Sequence, residues 1–207
     1  MNRKIALLLV ITVAVQSQNA NKAFVKITYM STNCTNGSES YSHYTIIGEC
    51  VRGSIYNYDE SSQEVVAQPY RFADCTGDKF RPYTYSLNKC LEVGGTQPDQ
   101  GYMVSVGTGY SIPDNSYVWV GYTSGQCNDW KDSVVELRYR LLGACQPTSS
   151  GSSKFDCNTT TLSDYGYPSY DFHCSGTADK PWTVPFESLN YCGTNGINEY
   201  NFCVKEN

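Results

Sequence analysis

The sequence predicts an all-β protein built from two homologous, disulfide-stapled antiparallel repeats of sandwich-like build. Three observations predict it: ten cysteines in 207 residues, stretches where apolar and polar side chains alternate with period two, and a chain that aligns with itself.

The cysteines are Cys34, Cys50, Cys75, Cys90, Cys127, Cys145, Cys157, Cys174, Cys192 and Cys203. All follow the N-terminal 17 residues, which read as a signal peptide: Arg3 and Lys4, then an apolar run from Ile5 to Val15, then Val15 and Ser17 at the small-residue cleavage positions. An even cysteine number after an export signal predicts five disulfides in an extracellular protein. A zinc site is the competing reading, but there is no C-x-x-C pair, and His43 and His173 are the only histidines. No later segment is long and apolar enough to enter a membrane.

Alternation carries the strand assignment. Val25, Ile27 and Tyr29 share one face, as do Tyr102, Val104 and Val106. In the run from Val135 to Leu141 the apolar residues take every odd position, and Glu136, Arg138 and Arg140 every even one. The expectation is a strand with Val135, Leu137, Tyr139 and Leu141 inward and the three charges facing water or a neighbouring subunit.

Self-comparison supplies the domain plan. Phe24 to Cys34 aligns without a gap to Tyr117 to Cys127, and Tyr44 to Cys50 aligns with Tyr139 to Cys145. Cys75-Thr-Gly matches Cys174-Ser-Gly, and Ser86 to Cys90 matches Ser188 to Cys192. The reading is a signal over 1–17, a first repeat over 22–107, a linker over 108–115 and a second repeat over 116–207. A Ser/Gly-rich segment at 146–154 is expected to be an exposed loop.

Each repeat holds a smaller unit twice, ending in [Ile/Leu]-[Gly/Asn]-x-Cys, where Gly or Asn suits a bend of positive φ. If each unit closes on itself, the bridges are 34–50, 75–90, 127–145 and 174–192, leaving 157–203. A hairpin of residues 24–32 and 42–50 would put Cys34 and Cys50 at opposite ends, so pairing across units, such as 34–75 with 50–90, stays open.

The Tyr-bearing strand, the Cys-x-Gly turn and the Leu-Gly-x-Cys return resemble small secreted cysteine-rich repeat proteins of amoeboid protists, a group without an assigned activity. The resemblance implies an extracellular setting and transfers no functional residues.

Removing Arg3 and Lys4 takes the formal charge from −5 to −7, 13 basic residues against 20 acidic, which disfavours nucleic acid as a partner. Asn33, Asn36 and Asn158 match the N-glycosylation acceptor pattern. No Gly-x-Ser-x-Gly elbow occurs, and the carboxylates Asp59-Glu60, Asp74 with Asp78, and Asp164 with Asp171 read as turn residues. Tyr56, Tyr58, Tyr165, Tyr167, Tyr170, Trp130 and Trp182 lie in polar, turn-rich contexts and are candidates for stacking on sugars or on protein. No catalytic, metal or cofactor site is expected. The sequence suits a secreted, non-catalytic structural glycoprotein of a coat, matrix or filament, partnered by its own copies or by extracellular glycans. A carbohydrate-binding or adhesive module is the alternative, and a secreted hydrolase comes third.

Overall fold

The computed structural model describes residues 22–31, 33–93, 100–123, 130–193 and 196–205. The expected signal peptide and Cys127 lie outside these. The described chain is antiparallel β throughout, apart from one short helix and an isolated parallel bridge.

The first repeat forms β1 (Ala23–Ser31), β2 (Tyr41–Ile46), β3 (Cys50–Val51), β4 (Ser54–Asp59), β5 (Glu64–Pro69), β6 (Tyr83–Ser86), β7 (Cys90–Glu92) and β8 (Gln100–Thr108). The second forms β9 (Ser116–Tyr122), β10 (Val134–Leu141), β11 (Gln146–Pro147), β12 (Ser152–Cys157), β13 (Thr161–Tyr167), β14 (Trp182–Pro185), α1 (Phe186–Leu189) and β15 (Asn198–Val204). Strands of both repeats build one seven-stranded sheet in the order β15-β9-β10-β2-β1-β8-β7. Two four-stranded sheets, β3-β4-β5-β6 and β11-β12-β13-β14, complete the molecule.

The repeats meet where β2 pairs with β10. Tyr44 lies opposite Leu137, Ser42 opposite Tyr139, and His43 opposite Arg138. Because Tyr44 aligns with Tyr139, His43 aligns with Arg138, so equivalent residues face each other and a local twofold axis passes through that pair. Outward from the axis the symmetry loosens. The sequence from Cys127 to Tyr139 is two residues longer than that from Cys34 to Tyr44, and Phe24 and Tyr117, aligned in sequence, face opposite sides of the sheet. Phe24 packs with Val118, Val120 and Leu137, whereas Tyr117 packs with Phe155 and Phe186. A one-residue slip turns every side chain to the other face.

One face of the large sheet carries the main core, with Phe24, Tyr44, Val118, Val120, Leu137 and Tyr139 all nearly solvent-free. Residues 109–115 cross this face and bury Tyr110 against Phe24. The other face receives the small sheets. Val25, Ile27 and Val104 pack on Val65 of β5, and Tyr117 on Phe155 of β12.

Four disulfides join described cysteines: Cys34–Cys90, Cys50–Cys75, Cys145–Cys174 and Cys157–Cys203. Cys192 is also disulfide-bonded. Cys157–Cys203 is the expected leftover pair, but the unit-internal pairs 34–50, 75–90, 127–145 and 174–192 are overturned, as is the crossed set 34–75 with 50–90. The β4–β5 hairpin explains this. It returns the chain so that Gly53 N–H donates to Ala73 O at 2.8 Å, which sets Cys75 beside Cys50. Cys34 and Cys90 meet at one end of the large sheet, where β1 and β7 flank β8. The bends before the second cysteines are present at Gly48, Asn88 and Gly143, with φ of 80°, 54° and 72°. The fourth, Asn190, caps α1 in an extended conformation. The Ser/Gly-rich segment is a hairpin rather than an exposed loop: Gln146 pairs with Ser153, Pro147 pairs with Ser152, and Gln146 and Ser152 are buried.

Candidate functional site

On the face that bears the small sheets, β2 and β10 run between them and present Tyr41, His43, Thr45, Glu136, Arg138 and Arg140. The inward set of β10 is as expected, with Val135, Leu137 and Tyr139 buried and Leu141 partly so. The polar set departs from expectation. Glu136 is only 2% exposed, and Arg138 and Arg140 are half-buried, because the sheet is covered on both sides.

A buried carboxylate needs partners, and Glu136 has three. Its Oε1 lies 2.7 Å from His43 Nε2 and 2.5 Å from Arg138 Nη2, and its Oε2 accepts from Arg52 Nε at 3.1 Å. Burial alone would raise the carboxyl pKa. The hydrogen bond and charge of His43, then those of Arg138, outweigh it and hold the group down at about 2. Arg138 is desolvated too, but Glu136 keeps its pKa above the usual arginine value.

Arg52 comes from the β3–β4 turn of the first repeat and reaches the second. Its backbone is left-handed, φ 47°, and the next residue, Gly53, has φ 79°. A side chain at Gly53 would stand 2.9 Å from Phe72 O, so the tight turn that aims Arg52 requires glycine. Besides Glu136, Arg52 holds Glu199 Oε1 at 2.6 Å. The Trp119 ring takes the guanidinium carbons of both Arg52 and Arg138, at 5.1 and 5.0 Å.

The His–Glu pair invites comparison with a nucleophile–base–acid relay, in which the carboxylate and the hydroxyl bind opposite ring nitrogens. Here Glu136 and Thr45 Oγ1 (3.1 Å) both contact Nε2 of His43. The geometry is that of a structural hydrogen bond. Among the described residues no group of three or more His, Cys, Asp or Glu side chains is placed to hold a metal ion.

Between β9, β10 and the small sheet of the second repeat lies a cavity of about 320 Å³. Tyr117, Trp119, Arg138 and Arg140 form its floor, Phe155 and Asp164 its opposite wall, and Trp182 its rim.

Residues 3–205 match the family model described as counting factor-associated protein A/B/C. The chain belongs to that family. No curated protein and no solved structure matches it.

The residues that sequence reasoning singled out in this counting factor-associated chain are scattered. Trp182 is 62% exposed at the cavity rim, and Asp164 lies across the strand pair from it. Asp171, grouped with Asp164 by sequence, sits elsewhere and accepts the N–H groups of His173, Ser175 and Gly176. Asp59 and Asp74 likewise close turns onto Ser61 and Thr76. Trp130 is buried and stacks on Tyr200, Tyr56 and Tyr58 pack on the first small sheet's core, and Tyr170 is exposed. Tyr165 and Tyr167 line a second hollow with Lys154 and Lys205. Asn33, Asn36 and Asn158 are all exposed. Sequence reasoning missed Arg52, Trp119 and the pairing of His43 with Glu136. The only signal for them was polar residues on one face of a strand whose cover could not be seen.

Proposed function

We propose that this protein is a secreted, non-catalytic component of an extracellular assembly, acting as a rigid structural and binding subunit. The observation that carries the reading is the use made of its polar cluster. His43, Arg52 and Arg138 converge on Glu136 and fasten the two halves together, so the cluster offers a substrate neither a free base nor a nucleophile. The disulfides suit an oxidising extracellular setting. The family description names association with a counting factor, which agrees with a subunit role. Glycans at the exposed Asn36 and Asn158 would keep the outer surface soluble.

Size-exclusion chromatography of medium from cells secreting the tagged chain tests this. The protein should elute together with other secreted polypeptides, well above the size of a single glycosylated chain. Elution solely as a monomer, or a hydrolytic activity abolished by Glu136→Gln in a folded protein, would refute it.

A further inference from the structure

The cavity of the second half holds two polar groups of opposite charge that make no hydrogen bond to a described residue. Asp164 Oδ1 is shielded from solvent and has no hydrogen-bond partner, a situation that costs about 1–3 kcal/mol for a buried polar atom. Across the cavity Arg140 makes no hydrogen bond or ion pair with any described residue. Its guanidinium carbon instead lies 4.3 Å from the Phe155 ring centroid and 5.4 Å from that of Tyr41. The neighbouring polar groups are committed elsewhere: Arg138 to Glu136, and the Tyr117 hydroxyl to Asn201 Oδ1 at 2.6 Å.

A fitting ligand therefore donates to Asp164, accepts from Arg140 and lays a flat, weakly apolar face on an aromatic ring. Trp182 supplies that ring at the rim, in cross-strand register with Asp164. Arg138 and Arg140 are balanced by Glu136 and Asp164, so the lining favours no net charge on the ligand. A cavity of about 320 Å³ is at the small end for a ligand site. Nucleotides and anionic peptides fail the charge condition, and purely apolar molecules leave both polar groups unsatisfied.

We propose that this cavity binds a neutral pyranose unit of a glycan, its hydroxyls bridging Asp164 and Arg140 and its C–H face stacked on Trp182. The site stands apart from the subunit reading, because the cavity is formed within one chain and needs no assembly.

The test uses the purified secreted full-length chain. Methyl glycosides of glucose, galactose, mannose and N-acetylglucosamine, together with cellobiose, lactose and chitobiose, are titrated by calorimetry and saturation-transfer NMR. At least one should bind saturably, and Trp182→Ala and Asp164→Asn should each weaken it at least about tenfold, the loss expected for one stacking or hydrogen-bond contact. Trp182 is exposed and Asn is isosteric with Asp, so both variants should fold. Tyr170→Ala, on the surface, should bind like the wild type. Binding by none of these sugars, binding that survives both substitutions, or tighter binding of methyl glucuronide than of every neutral sugar would overturn the proposal.

Discussion

The two halves present different chemistry at positions related by the local twofold. On the face bearing the small sheets, β2 residues Thr45 and His43 pair with Val25 and Ile27, which pair in turn with Val106 and Val104. Their counterparts Arg140 and Arg138 pair with Tyr117 and Trp119, which pair with Cys203 and Asn201. Where the first half sets four aliphatic side chains under its small sheet, the second sets two aromatics, an amide and a half-cystine. The first small sheet is held by apolar contact, with Val65 and Val104 fully buried. The second is held at one corner by Cys157–Cys203, and beside that corner the cavity remains. The bridge without a counterpart in the first repeat thus joins the second half's own apolar cluster of Phe155, Leu162 and Phe186, to which both its half-cystines belong.

The two halves join at Glu136, and the largest effect is expected there. Glu136→Gln should cost about 3–5 kcal/mol in urea denaturation, because it leaves the guanidiniums of Arg52 and Arg138 without their buried counter-charge. Its acid response should change as well. The folded carboxyl is held at about 2 against an ordinary value of 4.5, so ionised Glu136 stabilises the fold fully above pH 4.5. That contribution, on the order of 3 kcal/mol, is lost as pH falls from 4.5 towards 2. The Gln variant should lack this part of the acid transition. A cost below about 1 kcal/mol would mean that the cluster does not join the halves.

Next comes the corner bridge. Replacing Cys157 and Cys203 together with Ala opens a loop with a sequence separation of 46 residues and should cost about 2–4 kcal/mol. Hydrogen exchange should quicken in β12 and β13 while β4 and β5 stay protected. Equal loosening of both small sheets would contradict the assigned difference in how they are held. Val104→Asn, which imitates Asn201, should cost about 1–3 kcal/mol by burying an unpaired amide. Asn201 itself is satisfied by Tyr117, Leu189 O and Asn190. If the variant melts like the wild type, the first half is not closed by apolar packing. The smallest effects belong to the histidines. His43→Gln should cost roughly 1 kcal/mol through its bond to Glu136, and His173→Gln, on the surface, should leave the melting temperature unchanged.

Much of the frame was legible in the residues. Alternation located β1, β8 and β10, because that signal is local and periodic. Three of the four expected positive-φ bends are present for the same reason. The disulfide pairs were not legible, since they depend on where the β4–β5 hairpin returns the chain. The wet face assigned to Glu136 failed likewise: alternation tells which residues share a face, not what covers it. The cavity draws on five strands, so no local pattern brings its residues together: Arg138 and Arg140 read as one face of a strand, and Asp164 was grouped with Asp171, which lies elsewhere. Trp182 stood out in sequence because an aromatic among turn residues is conspicuous.

The pairing of His43 with Arg138 has a further consequence. In a dimer of two identical second repeats joined in the same way, the axis would set Arg138 against its own copy, two guanidiniums side by side in a partly dry interior. Covalent fusion removes that constraint, because the two sides of an isologous contact can then carry different residues. One side keeps the arginine and the carboxylate, while the other offers a histidine at the axis and Tyr41 in place of the second Glu136. Fusion also closes the contact: the self-complementary strand is already occupied within the chain, so any larger assembly has to grow from other surfaces.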